Sequence, residues 1–190
     1  MIIRKAEVAD ADGIARVHDD SWWTTSKGVL YDQCPGTHSH EKRTMMWKYI
    51  LSGEFSEIYE CLIVYVVENG KGEIIGFVYG GKKWKHNKVY IGELAGIYLL
   101  KEYHNQGIGR KMVATFAQEL LSLDIERMML CDHAKNSSRL FYEKLGALKL
   151  GESNIIIGDK EYNLIDYGWE DISVILNDRT LAAERMESHD

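Results

Sequence analysis

One proline in 190 residues, three cysteines, no apolar run near the ~18 residues of a membrane-spanning helix and no surplus of basic charge set the first limits. A single proline beside 45% hydrophobic residues excludes a low-complexity or disordered chain. Cys34, Cys61 and Cys131 are odd in number, widely spaced and in no CxxC arrangement, so reduced thiols are expected. Cys61 and Cys131 fall in strand-like runs and read as small buried thiols without chemistry. A formal charge of −6 offers no basic face to a nucleic acid and mildly favours cationic ligands. The N-terminus enters at once into Ile2-Ile3-Arg4-Lys5, without the basic region and apolar core of a signal peptide, so the cytoplasm is the expected compartment and a membrane is not a partner. His38 and His40 lack a cysteine or acidic partner at ligand spacing and read as solvated loop histidines, so no metal is expected.

The chain is organised around residues 88–118. Up to Leu100 the residues are mostly β-branched, aromatic or aliphatic; from Ile108 onward Met112, Val113, Phe116, Ala117, Leu120 and Leu121 recur at helical spacing. The period changes at Gly107 and Gly109, which gives a strand, a tight turn and a helix. A helix start presents unpaired N–H groups and the positive end of a dipole, and glycines there let a phosphate approach the backbone. The stretch is an anion cradle suited to a pyrophosphate. A Walker loop is excluded because Arg110 and Lys111 follow Gly109 in place of Lys-Ser or Lys-Thr. The dinucleotide fingerprint is excluded because one of its three glycines is missing.

His104-Asn105-Gln106-Gly107-Ile108-Gly109 resembles the acyl-CoA loop of the GNAT N-acetyltransferase superfamily, with His104 in the place of Gln or Arg. Asn136-Ser137-Ser138-Arg139-Leu140-Phe141-Tyr142-Glu143-Lys144-Leu145-Gly146-Ala147 is similar to the next helix of that superfamily, at a matching distance from the loop. Val17-His18-Asp19-Asp20-Ser21-Trp22, Lys27-Gly28 and Tyr167-Gly168-Trp169 extend the likeness over nearly the whole chain. The resemblance implies an α/β (α+β) fold: a mixed, mostly antiparallel sheet with helices on both faces and a V-shaped splay between its central strands. It implies acetyl-CoA as cosubstrate, an amine as acceptor, and a monomer or homodimer.

In chain order, a strand over 2–6 leads to a helix capped by Asp10, then a loop at 31–40 and a helix over 39–51 buried through Met45, Met46, Tyr49 and Ile50. A hairpin follows, with strands over 61–67 and 74–80. Residues 82–88, with four lysines, read as a solvated loop or a contact for an acidic group. A short fifth strand over 127–131, the Asn136 helix, and strands over 147–150 and 162–167 around a Gly158-Asp159 turn complete the order βααβββαβαββ. We expect one N-acetyltransferase domain over 1–170 and a helical extension over 171–190.

Acetyl transfer to an amine requires a neutral nitrogen, a polarised thioester carbonyl and a protonated leaving thiol. The resemblance places Glu93 where family members carry a catalytic or water-linking glutamate; the alternative is a carboxylate that only binds a cationic acceptor. Tyr142, from the Phe-Tyr pair, is the expected general acid, or else a tyrosine that packs against the cofactor. Backbone groups of Ile97, Tyr98 and Leu99 are expected to pair with the pantetheine arm, opened by a bulge near Ala95-Gly96. His104, Asn105, Gln106, Gly107, Ile108, Gly109 and Arg110 are expected at the phosphates, and Asn136 beside the pantetheine. Trp22, Trp23 and Tyr31 are expected at the acceptor, with core packing as the plain alternative. The function expected is an acetyl-CoA-dependent N-acetyltransferase acting by direct attack in a ternary complex on a small cationic metabolite or a protein. A noncatalytic acyl-CoA-binding module is the alternative.

Overall fold

The expected strand, turn and helix form β4 (Gly92–Leu99) and α3 (Ile108–Ser122), and every other element is placed relative to them. The structure is a computed structural model that describes residues 1–25, 39–53, 58–83, 89–136, 138–157 and 160–177. β1 (Ile2–Lys5), α1 (Ala11–Thr25), α2 (His40–Leu51), β2 (Tyr59–Glu68) and β3 (Ile74–Lys83) precede the pair. β5 (Met128–His133), α4 (Arg139–Lys144), β6 (Leu148–Ile157) and β7 (Lys160–Trp169) follow it. The seven strands form one sheet in the order β1-β2-β3-β4-β5-β7-β6. Neighbours run antiparallel except β4 and β5, which are parallel and pair only through Gly92↔Met128 and Glu93↔Met129. Beyond Glu93 the two strands part, which is the expected splay.

α3 buries Ile108, Met112, Val113, Phe116, Ala117 and Leu120, the residues that its period selects, on one face of the sheet. α1 and α2 cover the other face, where His18 and Trp47 pack edge-on to Phe77 with ring centroids 5.7 Å and 5.1 Å away. Trp47 donates its indole N–H to His18 Nδ1 at 3.3 Å, which fixes the imidazole proton on Nε2. The core is continuous from α1 through the sheet to Ile172 and Ile175, in a 3-10 turn after β7.

Several sequence expectations are corrected. The buried side of α2 is Arg43 and Trp47, whereas Met45, Met46 and Tyr49 are exposed. A charged residue holds the inward position because Asp19 of α1 lies 2.6 Å from the Arg43 guanidinium, and a hydrophobic pattern cannot announce that. Asp10 does not cap α1 directly: it closes a 3-10 turn (Val8–Asp10), where its carboxylate accepts the Glu7 N–H and both Arg4 amino groups. Cys131 is exposed and Cys61 half-buried. The terminal strands are longer than expected and make one hairpin; its Gly158-Asp159 turn lies outside the described residues, as do Cys34, His38 and the extension from 178 on.

His40 is no solvated loop residue. It starts α2 and ties that helix to α1, with Nε2 3.0 Å from Asp12 and Nδ1 3.2 Å from Asp19. Hydrogen bonds to these two carboxylates raise the imidazole pKa. Because the folded-state value is raised, the clamp contributes fully below the ordinary value of ~6.5 and is lost as pH rises through the folded-state value. Thermal melts of the native protein and His40→Gln should therefore differ most at mildly acidic pH and converge under alkaline conditions, by no more than about 1 kcal/mol since the ring is half exposed and screened.

Candidate active site

The splay is lined on one side by the free edge of β4. Residues 94–99 pair with β3 across the other edge, and no described strand pairs with them on the β5 side. An open edge of this kind offers backbone N–H and C=O groups to an extended, amide-bearing ligand. At its far end the chain makes a 3-10 turn (Lys101–Tyr103) and enters α3 through Gly107, whose φ of 76° lies in the left-handed region that glycine adopts without strain. Lys111 N–H makes the first helical bond, to the Gly107 carbonyl, so the amides of Ile108 and Gly109 lie ahead of the helical ladder. The side chains of the loop serve the loop. His104 Nε2 is 2.9 Å from the Leu99 carbonyl and Gln106 donates to the Glu102 carbonyl at 2.9 Å, so both side chains are engaged within the loop. Arg110 borders a shallow hollow with Lys144 and Gly146.

At the near end, Glu93 is the last residue of β4 paired to β5 and so marks the apex of the splay. Its orientation depends on one irregularity. Tyr79 faces Gly96 but Gly80 faces Leu94, so Ala95 is an extra residue in β4. Side chains alternate along a strand, so without the bulge Glu93 and Tyr98, an odd number of positions apart, would project to opposite faces. With it they share the face covered by α1 and α2. Tyr98 stacks on its partner Phe77 at 4.8 Å, and a Cβ on Gly96 would lie 2.7 Å from the Tyr79 ring and 2.8 Å from that of Tyr98, so both rings close over the glycine. Gly81↔Glu93 and Tyr59↔Lys83 carry the same face onto β3 and β2.

Glu93 is thereby brought into a cluster. It accepts a hydrogen bond from the Tyr59 hydroxyl, and Lys83 Nζ lies 2.6 Å from its other oxygen. Burial, reinforced by the Glu93 charge, pushes the Tyr59 and Tyr79 phenols up, so both stay protonated as donors. The carboxylate is only 18% exposed.

Tyr142 of α4 stands across the splay, buried against Tyr167 and Phe141. Burial, then the charge of Asp132, raises its pKa, so the hydroxyl is protonated at neutral pH. Asp132, next to last in β5, accepts the His133 N–H at 2.7 Å and two hydrogen bonds from Asn136 Nδ2, at 2.9 Å and 3.0 Å, while Asn136 Oδ1 accepts the Ser138 N–H at 3.0 Å. Burial still raises the pKa of Asp132 despite those bonds.

Residues 21–147 match the acetyltransferase (GNAT) family model. The chain belongs to the GNAT acetyltransferase family. A Bacillus subtilis (strain 168) protein described as the uncharacterized N-acetyltransferase YuaI is 30% identical over 174 residues, 91% of this chain and 95% of that protein. Among solved structures, the PaiA N-acetyltransferase of Thermoplasma acidophilum in complex with coenzyme A superposes with a TM-score of 0.62 at 22% identity, covering 87% of this chain and 96% of that one. The yncA acetyltransferase of Salmonella typhimurium, with acetyl-CoA, gives a TM-score of 0.65 at 17% identity, covering 90% and 94%. As a member of this family the chain is an acetyl-CoA-dependent N-acetyltransferase, and the cradle and open β4 edge fit that cosubstrate.

In this acetyltransferase the residues read from the sequence fall at two ends of one strand edge: Gly107, Ile108 and Gly109 at the cradle end, Ile97, Tyr98 and Leu99 along the edge, Glu93 at the apex, with Tyr142 and Asn136 across the splay. Trp22 and Trp23 lie in α1, but their side chains, like Tyr31, fall outside what is described. Sequence reasoning missed Tyr59, Lys83 and Asp132. Lys83 was hidden in a lysine-rich run, where the one available signal was its position at the end of a strand opposite the Glu93 strand. Among the described residues no group of three metal-binding side chains converges.

Proposed function

We propose that this acetyltransferase acetylates a primary amine, of a small cationic metabolite or a protein, by direct attack in a ternary complex formed at the splay. The observation that carries the proposal is Glu93 at the apex, turned by the Ala95 bulge to the face opposite α3 and its cradle. The cradle backbone of residues 104–110 holds the phosphates, with Asn105, Gly107 and Gly109 giving the turn its shape. The edge of Ile97, Tyr98 and Leu99 pairs with the pantetheine arm, and Asn136 borders it. Acetyl-CoA supplies an acetyl group activated as a thioester.

The acceptor enters from the α1 and α2 face, and Trp22, Trp23 and Tyr31 are the residues proposed to contact it. An alkylammonium of pKa ~10.4 has almost no free amine at neutral pH, so Glu93 removes its proton. The carboxylate already holds the Lys83 ammonium at 2.6 Å, which supports an alkylammonium as the acceptor group. Tyr142 gives its hydroxyl proton to the departing thiolate, a role suited to a phenol whose pKa burial has raised. No described helix is long and apolar enough to cross a membrane, and we assign the enzyme to the cytoplasm.

The test is thiol release from acetyl-CoA against a panel of amines. Tyr142→Phe, which removes one oxygen and keeps the ring, should lower kcat about 100-fold while the CoA affinity measured by calorimetry holds. A variant as fast as the native enzyme would remove Tyr142 from the mechanism.

A further inference from the structure

We propose that Lys83 is a self-acetylation site, modified by the enzyme's own active site. The inference rests on the placement of Glu93 as the base described above and extends it to a residue of the chain itself. Lys83 is a primary alkylamine at the apex of the splay. Its Nζ lies 2.6 Å from Glu93 Oε1, the direct contact that proton removal from an acceptor requires. Register explains why it is there: Lys83 follows Gly81 by one alternation of β3, and Gly81 pairs with Glu93, so Lys83 projects from the same face and crosses to the carboxylate. It thus occupies the place an external ammonium would take, on the Glu93 oxygen that the Tyr59 hydroxyl does not use, and is one-third exposed.

The chemistry balances with acetyl-CoA as the only co-reactant. Glu93 takes a proton from the Lys83 ammonium, and the freed nitrogen pair bonds to the thioester carbonyl carbon. The carbon–sulfur bond breaks and the sulfur leaves with its electron pair, to be protonated by Tyr142. The acylated nitrogen sheds its surplus proton to solvent and keeps one as the amide N–H, and the products are Nε-acetyl-Lys83 and CoA thiol. The acetylated side chain carries no charge, so its ion pair with Glu93 is lost and the carboxylate is released to an external cation.

Lys82 provides a reference within the same molecule. It is the adjacent residue, is equally exposed at 33%, and pairs with a carboxylate at similar range, Glu60 at 2.8 Å, yet it projects from the opposite face of β3. The full chain is incubated with acetyl-CoA and no amine, and modification is followed by intact mass and site-resolved peptide mass spectrometry. Lys83 should be acetylated at least about tenfold faster than Lys82, because its nitrogen is held beside a base. The rate should be independent of protein concentration, and Glu93→Gln should bring Lys83 down to the Lys82 rate. Equal rates at the two lysines, or a Lys83 rate that rises with protein concentration, overturn self-transfer, while CoA binding and Glu93-dependent turnover of a free amine would leave the proposed function intact. Absence of CoA binding by calorimetry, or free-amine turnover indifferent to Glu93→Gln, overturns both.

Discussion

Replacing Glu93 by Gln should lower kcat/KM for amine acetylation by about 10²- to 10⁴-fold, the usual worth of a general base. The substitution is isosteric and keeps an oxygen to accept the Tyr59 hydroxyl, so the local shape should persist while the charge toward Lys83 and the proton-accepting capacity disappear. Two further readouts separate a base from a mere binder of cations. A binder's loss raises KM and spares kcat, whereas a base's loss lowers kcat. With the base gone, turnover depends on the amine that is already neutral, so residual activity should climb with pH toward the acceptor's own pKa, ~10.4 for an alkylamine. CoA affinity should stay within about twofold, because the cradle at Gly107 sits at the opposite end of β4. A variant with unchanged kcat and raised KM would reassign Glu93 to acceptor binding.

Gly80→Ala should strongly destabilise the sheet beside the site. A Cβ there would lie 2.0 Å from the Glu93 carbonyl oxygen and 2.9 Å from the Ala95 nitrogen. Both are backbone atoms, which cannot swing aside as a flexible side chain would. Relief requires β3 and β4 to separate at the bulge, so we expect a loss of about 3 kcal/mol or more. For a chain of this size that corresponds to a fall in Tm of roughly 6 to 12 °C. The activity of the remaining folded protein should fall with it, since the same displacement moves Glu93 away from Tyr59 and Lys83. A variant that melts within about 1 °C of the native protein would show that the strand pair has slack, and would undercut the register from which the site is argued.

How much of this was legible in the sequence depends on the distance over which the information is carried. The β4–turn–α3 unit is local: its period changes at Gly107, and the buried residues of α3 are those its spacing selects together with Ala114, while Leu121 is half-buried. The order of elements also follows locally, from turn residues and periodicity. α2 was misjudged because its inward position is held by Arg43, whose partner Asp19 is on another helix; a moment of hydrophobicity points at methionines that solvent in fact receives. The Glu93 cluster draws Tyr59 and Lys83 from two other strands through pairing registers that contain their own irregularities, and no window of sequence displays a register. Asp132 escaped for a different reason. An aspartate near a strand end reads as a loop signal, yet here it lies within β5 and is the clasp on Asn136.

The surplus residue Ala95 also sets how this protein tolerates changes of length as opposed to changes of side chain. Most substitutions along β4 alter one contact and leave the rest of the strand in phase. Deleting Ala95 would leave every neighbouring side chain chemically intact and restore strict alternation, with Glu93 and Tyr98 four positions apart and still on one face, so the carboxylate should keep its side of the sheet. One residue inserted between Leu94 and Tyr98 and taken up by the ladder, with the bulge kept, would instead turn Glu93 toward α3 and set the proposed base behind the sheet. The spacing between Glu93 and Tyr98 is thus an odd–even constraint, met by counting residues rather than by choosing them.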